Sequence, residues 1–468
     1  MPLRGGLVGH GETALPVTLD RDSGVPLAVQ LADALREAAS GGHLRGGDRL
    51  PSTRALAASL GVSRTVTSAA YEQLHAEGWI VGRHGSGTYV TTSPPAPVSR
   101  RPVVMGPDHV SSPDLVALLP GMPWAEGIDR AAWRRAWRAA ADTPPSAVAE
   151  RAGLVAYRAA IAEHLLRHRG LDVAPNSVLA TAGTTAAVVE LAAALLRPGD
   201  LVAVEEPGYQ RAVEAFRRAG VRVVPVEVDS EGLRPDTIPD GVRVVYCSPA
   251  HQYPLGGRLS AARRVELVDR ARTDGFLVVE DDYDGELRYD VAPLPLLAAL
   301  APDVVVHLGT TSKILTPTLG VGWMVAPPGV TAAVLAYRED AGTRASPAGQ
   351  QVFVELARHG DLGRHLRRLR RELSERRSGL VTALREADVP VLGDDAGAHL
   401  VVPLESADEE RRRLALARER GLLLDGLARH FAGIPTSAGI AVGYAGCSRE
   451  TLQDVLGVLV DVLRLTRR

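Results

Sequence analysis

Apolar positions along the 468-residue chain repeat with two different periods, and the change of period divides the chain. Near the N-terminus the helical period dominates. In PLAVQLADALREAA, Leu27, Leu31, Ala34, Leu35 and Ala38 share one helical face, and Gly41-Gly42 stops the helix. LPSTRALAASLG offers Ser52 as an N-cap and Gly61 as a C-terminal stop. A third helix restarts at Ser63 with Val66, Ala70 and Leu74 turned inward, and WIVGRHGSGTYV reads as two strands around a glycine-rich tip. From 91 to 113 the Pro/Ser-rich TTSPPAPVSRRPVVMGPDHVSSP carries no period and reads as a semi-rigid linker. Beyond it, short apolar runs (LVAVEEP, VRVVPVEV, VRVVYCSP, GFLVVEDD, DVVVHLGT) alternate with Ala/Arg/Leu-rich helical stretches. That alternation predicts an α/β domain with a mostly parallel sheet covered by helices. The Arg-rich run from Arg364 to Arg377 carries leucines at 362, 366, 369 and 373, which makes it an amphipathic helix with a solvated basic face. The expected organisation is a tail at 1–15, a small domain at 16–92, a linker at 93–112 and a large domain at 113–468.

Composition narrows the class. With 46% apolar and 23% charged residues and a net charge of −2, the chain has the make-up of a soluble globular protein, without a global charge bias toward nucleic acid or membrane. Two cysteines cannot build a disulfide framework, no apolar run is long enough to span a bilayer, and the N-terminus lacks the apolar core of a secretion signal. A cytoplasmic protein with no bound metal is expected.

Two short helices joined by a Gly-Val turn, followed by a two-stranded wing, fit a winged helix-turn-helix. The recognition helix begins at Ser63, so Ser63, Arg64, Thr65 and Thr67 lie near its exposed N-terminal end, where free N–H groups and hydroxyls suit phosphates and Arg64 can reach a guanine edge. Ser52 caps the preceding helix, Arg54 on it suits a phosphate or a base edge, and His84 and Gly85 at the wing tip can enter the minor groove. Seven arginines are matched by seven acids between Asp20 and Thr92, so any basic footprint must come from polarised charge or from pairing of two copies. The run LPS-x-R-x-LA-x-x-LGVSR, with AEG and GSGT after it, resembles the winged helix-turn-helix of GntR-type bacterial repressors. The resemblance covers the whole small domain and implies binding to a double-stranded DNA operator.

The large domain contains the chain's single lysine, Lys313, beside 52 arginines. An amine can lose its proton and form a Schiff base with a carbonyl, which a guanidinium does not. Its surroundings point the same way, although each has a plainer reading alone. Gly183, Thr184 and Thr185 form a strand-to-helix turn able to hold a phosphate. Asp281 ends an apolar strand where a carboxylate can keep a pyridine nitrogen protonated, and Tyr283 can bond a ring hydroxyl. Thr310, Ser312 and Lys313 follow another strand to the same sheet edge, where ligands gather in open α/β sheets. Tyr209 can stack on an aromatic ring. Together these match pyridoxal 5′-phosphate. TAGTTAAVVELAAALLRPGDLVAVEEPGYQ, SPAHQYPLGGRLS, VVEDDYDGELRYD and GTTSKILTPTLGVGWMVAP resemble, in order, segments of fold-type I aminotransferases. The resemblance implies that Lys313 forms the internal aldimine and that His251, in His-Gln-Tyr-Pro, lines the ring.

A GntR-type domain joined to an aminotransferase-like domain resembles the MocR subfamily of transcriptional regulators, which implies a homodimer that senses pyridoxal phosphate, sometimes with an amino compound, rather than turning over substrate. Two positions depart from the aminotransferase pattern. Gly320 stands where an arginine usually meets the phosphate, and Ala441 where one usually grips a substrate carboxylate, with Arg449 a possible substitute. A site that keeps its lysine and lacks the carboxylate clamp resembles the PdxR branch, regulators of vitamin B6 synthesis and salvage. A regulator responding to an amino compound and an active aminotransferase are the alternatives.

Overall fold

The computed structural model describes residues 3–4, 17–40, 43–83, 85–91, 115–144, 146–148, 150–289 and 294–464. They belong to two compact units, Met1–Val110 and Ser111–Arg468. The expected linker at 93–112 lies outside the described residues, as do residues 1–2 and 5–15 of the expected tail.

In the first unit three helices, α1 (Leu27–Ser40), α2 (Thr53–Leu60) and α3 (Arg64–Ala76), precede a hairpin of β2 (Ile80–Arg83) and β3 (Gly87–Val90). The short strand β1 (Arg49–Leu50) pairs with the free edge of β3, giving an antiparallel sheet in the order β1-β3-β2. The helix ends are set by side-chain chemistry. Ser52 Oγ accepts from Ala55 N at 3.2 Å and Ser63 Oγ from Val66 N at 3.4 Å, each satisfying a first-turn donor. Gly61 closes α2 at φ 62°, a left-handed conformation that suits a residue without Cβ. Leu31, Leu35, Leu50, Leu56, Ala70, Leu74, Ile80 and Val90 make one core, which includes most of the inward set expected from the helical period; Val66, also expected inward, is half-buried and stays outside it.

The second unit is built on an eight-stranded sheet. Its strands are β4 (Val178–Thr181), β5 (Leu201–Glu206), β6 (Arg222–Asp229), β7 (Gly232–Leu233), β8 (Val242–Cys247), β9 (Leu277–Asp282), β10 (Val305–Thr310) and β11 (Gly322–Val325), in the spatial order β7-β6-β5-β8-β9-β10-β11-β4. β11 runs antiparallel to both neighbours, β7 forms a hairpin with β6, and the other pairings are parallel. The inner strands β5, β9, β10 and β11 are buried along most of their length on both faces, so their apolar runs do not alternate with polar residues, whereas β6 exposes Arg222, Pro225 and Glu227. Ala203, Val245, Val278 and Val305 join one apolar cluster, and their sequence neighbours Val204, Val244, Val279 and Val306 the other. A smaller antiparallel sheet follows, with β12 (His399–Leu404), β13 (Asp425–Gly426) and β14 (Ala438–Gly443) in the order β12-β14-β13. The Arg-rich run lies in a helix over Asp361–Glu386 that buries Leu362, Leu366, Leu369 and Leu373. Among the described residues no helix is long and apolar enough to cross a membrane.

Register positions the chemistry. Asp281 of β9 pairs with Leu308 of β10, Thr310 with Gly322 of β11, and Gly322 with Thr181 of β4. The carboxyl ends of β4, β9 and β10 therefore lie level at one edge, and the residues just after them converge.

Candidate functional site

Lys313 follows β10 in the loop beyond that edge. Its Nζ donates to the carbonyl of Gly121, and burial lowers the amine's pKa, opposed by the charges of Asp284 and Asp281. Asp281 is 4% exposed. Tyr246 Oη donates to its Oδ2, whereas its Oδ1 is buried without a partner. Burial pushes Asp281 up to about 7 against the opposing hydrogen bond from Tyr246, with the neighbouring Asp282 adding to the rise. Strand alternation separates the two adjacent carboxylates. Asp281 shares the face of Tyr246, while Asp282 points through the opposite face into a bidentate pair with Arg169, both bonds 2.7 Å.

The strand-to-helix turn is arranged as a cradle. Gly183 adopts φ 112°, where a side chain is strained, and caps a helix over Thr184–Leu195, whose first residues are Thr184 and Thr185. Thr310 Oγ1 donates to Ser312 Oγ at 3.0 Å and accepts from Ser312 N at 3.1 Å. A Cβ at Gly183 would stand 3.7 Å from Thr310 Oγ1, so the turn after β4 and the loop after β10 face each other closely.

Aromatic residues wall the site. Tyr209 Oη lies 3.0 Å from Thr185 Oγ1, and its ring meets Tyr253 edge-on at 5.9 Å. Tyr253 also meets Tyr283 at 5.9 Å, His399 at 5.5 Å and His430 at 5.1 Å. Tyr253 is not the ring contact expected from the sequence, which is His251 two positions earlier. The one available signal was the large aromatic of His-Gln-Tyr-Pro, and nothing in the spacing ranked it above the imidazole. His251 is 3% exposed, with Nδ1 2.8 Å from Asp284 Oδ2 and 3.1 Å from Tyr283 Oη. Burial holds His399 down at about 3, so that ring is neutral. Two further groups had no sequence signal. Glu205 is buried behind the site and pushed up to about 8 by burial, and Arg211, exposed at the start of a helix over Gln210–Arg218, contributes to the charge felt by Lys313.

The two expected arginine positions differ in their surroundings. Gly320 sits at φ 61° with free space around its missing side chain. Ala441 is fully buried in β14 among Val401, Leu427 and Phe431. Arg449 is tied to Glu372 and Glu375 and is not a free substitute.

In the small unit Ser52, Arg54, Ser63, Arg64, Thr65 and Gly85 are all exposed. Thr67 corrects the expectation. It is 0% exposed, and its Oγ1 donates to Thr53 O at 2.9 Å and Arg64 O at 3.0 Å, so it fastens α3 to α2 and faces no ligand. The helical period explains the error: position 67 is four residues after Ser63 and lies on the face turned toward α2. His84 lies outside the described residues.

The family model of bacterial regulatory proteins of the gntR family matches residues 27–90, and that of aminotransferase class I and II matches residues 126–459. The chain is 34% identical over 454 residues to the HTH-type pyridoxine biosynthesis transcriptional regulator PdxR of Corynebacterium glutamicum, covering 96% of this chain and 99% of that one. It is 33% identical over 468 residues to the probable rhizopine catabolism regulatory protein MocR of Rhizobium meliloti, covering 95% of each. The chain belongs to the MocR type of transcriptional regulators. Its large unit has the fold of solved aminotransferases. An archaeal alanine:glyoxylate aminotransferase matches with TM-score 0.70 at 23% identity over 75% of this chain and 90% of that one. The α-aminoadipate aminotransferase LysN of Thermus thermophilus, solved with N-(5′-phosphopyridoxyl)-L-leucine, matches with TM-score 0.67 at 25% identity over 75% and 92%. The cofactor of that fold is pyridoxal phosphate, and this MocR-type regulator has residues that fit it. The unpartnered, buried Oδ1 of Asp281 is an acceptor for a cationic ring nitrogen, in a cleft that also holds a desolvated amine.

Proposed function

We propose that this MocR-type regulator senses pyridoxal phosphate through Lys313 and controls genes of vitamin B6 synthesis or salvage. The observation that carries the reading is a pairing of opposites. Asp281 Oδ1 waits unpartnered beside the Lys313 amine, while the position for a second ligand's carboxylate clamp is closed by the apolar cluster around Ala441. When bound, pyridoxal phosphate supplies an aldehyde that condenses with a primary amine. Burial keeps a larger fraction of Lys313 unprotonated and nucleophilic at neutral pH. Asp281 would keep the ring nitrogen protonated by accepting from it, Tyr283 would meet the ring oxygen, Tyr209 would cover the ring and His251 would line it. The N–H groups of Gly183, Thr184 and Thr185, with the hydroxyls of Thr310 and Ser312, would take the phosphate. Two copies of the chain pair. Their α3 helices enter the major groove, with Ser63 and Thr65 on phosphates, Arg64 on a base edge, Ser52 and Arg54 on the backbone, and Gly85 with His84 at the minor groove. For this to regulate, the cofactor must bind the DNA-competent and incompetent arrangements unequally.

The test is a visible absorption titration of the cofactor-free protein with pyridoxal phosphate, beside Lys313→Ala. A saturable band, absent in the variant and trapped by borohydride, with operator affinity changing over the same concentrations, is expected. No band in the wild-type protein refutes the reading. Arg211 favours a second reading, in which an amino compound binds the loaded protein through its own carboxylate. A band shift on adding free amino acids at modest concentration would support it.

A further inference from the structure

The pair formed by His251 and Asp284 is closely enclosed. His251 is 3% and Asp284 4% exposed. Gly397, at φ 74°, leaves no room above them: a Cβ there would meet His251 Cε1 at 2.2 Å and Asp284 Oδ2 at 2.9 Å. We propose that Asp284 and His251 form a positioning pair for Tyr283, fixing its hydroxyl as a hydrogen-bond donor into the cofactor site. The inference rests on the cofactor reading above.

An ionised carboxylate only accepts, so Asp284 Oδ2, 2.8 Å from His251 Nδ1, requires a hydrogen on that nitrogen. A ring nitrogen carrying hydrogen has no lone pair left to accept with. Tyr283 Oη, 3.1 Å from the same Nδ1, can therefore only accept from it. The phenol's own hydrogen is then directed elsewhere, and among the described residues Tyr283 Oη has no other partner. Tyr253 packs edge-on against the Tyr283 ring and His399 lies 5.3 Å from the His251 ring, so neither ring is free to swing. Were Asp284 neutral and unable to claim the Nδ1 hydrogen, the imidazole could take the other tautomer. Tyr283 would then donate to Nδ1 and present only its lone pairs to the ligand.

A donor on the cofactor's ring oxygen stabilises that oxygen's anion, so losing it makes the proton on the adjoining lysine-derived nitrogen harder to remove. The experiment is a pH titration of the visible band in the full-length, pyridoxal phosphate-loaded protein. It compares wild type, Tyr283→Phe, Asp284→Leu and the double variant. Tyr283→Phe is expected to raise the midpoint by about one pH unit, the size of one hydrogen bond to a charged group. Asp284→Leu removes the acceptor of Nδ1–H and also a charge that holds the amine's pKa up. The charge acts in both tyrosine backgrounds, so the shift caused by Asp284→Leu is expected to lie about one pH unit higher with Tyr283 present than with Phe in its place. An equal shift in the two backgrounds would overturn the proposal. If Asp284→Leu does not fold, the 15N chemical shifts of the His251 ring in the wild-type protein report its tautomer, and an Nδ1 without hydrogen overturns the proposal. Absence of any band in wild type would instead defeat the cofactor reading itself.

Discussion

Replacing Asp281 by Asn is expected to stabilise the cofactor-free protein while abolishing its ability to hold the cofactor. The side chain is 4% exposed, and burial moves its pKa from the ordinary 3.8 to about 7. The unfolded chain releases this proton near 3.8, whereas the folded chain keeps it to about 7. The folded state therefore binds more protons between those values, and stability falls as pH rises through that window. Above it the full penalty, about 4 kcal/mol, is present. Asn can still accept from Tyr246 and carries no charge to desolvate. At pH 8 the variant should thus gain up to about 4 kcal/mol, shrinking steadily toward pH 5 and lower. Tryptophan fluorescence during urea unfolding reads the large unit well, since four of the five tryptophans, at 124, 133, 137 and 323, lie in it. A stability difference between variant and wild type that is flat from pH 5 to pH 8 would refute the reasoning. So would a variant that still binds pyridoxal phosphate with undiminished affinity.

The two departures from the arginine pattern respond oppositely to restoration. Gly320→Arg has open space around its new side chain, so it should cost about 1–2 kcal/mol of stability for the left-handed backbone. It should also tighten pyridoxal phosphate about tenfold or more through a charge-assisted bond, measured by the same absorption titration. Ala441→Arg drives a charge into the packed cluster of Val401, Leu427 and Phe431 and should cost at least about 3 kcal/mol, seen as lost soluble protein or a much lower urea midpoint. In the small unit, Thr67→Val should cost about 1–2 kcal/mol of stability and leave the DNA affinity of the folded protein unchanged. Arg64→Ala should do the reverse, weakening binding to a duplex selected from a random pool by about 1–3 kcal/mol at unchanged stability. Fluorescence anisotropy on both variants decides between them.

The sequence pattern reached the helices, the strands and the turn after β4 because each was announced by a repeat or by a terminus. Glycines and serines marked the ends of α2 and α3, and runs such as GFLVVEDD could only be strands buried on both faces. What period and spacing could not supply was the direction of individual side chains. Asp281 and Asp282 are equivalent on paper, and their division of labour follows from a one-residue alternation whose phase is fixed only when β8 and β9 pack. Thr67 was placed among exposed hydroxyls because it follows Ser63 closely, yet helical geometry turns it into the interface with α2. Tyr253 and Glu205 escaped notice because a half-buried aromatic or a buried carboxylate takes its surroundings from neighbours distant in sequence.

Gly320 and Ala441 were visible as departures, but the fold adds why they matter. A residue at 320 must take a left-handed backbone, and a residue at 441 must fit an apolar cluster that already excludes charge. A chain with 52 arginines thus has none at the two positions where the aminotransferase pattern leads one to be expected, and apolar side chains pack around Ala441. Decay of an unused site would also have left Asp281 free to become Asn or an apolar residue, with a gain in stability at neutral and alkaline pH. The protein instead keeps a carboxylate that weakens its ligand-free fold, next to its single lysine. That cost makes sense for a site whose occupancy is its output. Pyridoxal phosphate supplies the cation Asp281 lacks, so the ligand-bound and ligand-free states differ in energy by terms built into the protein itself.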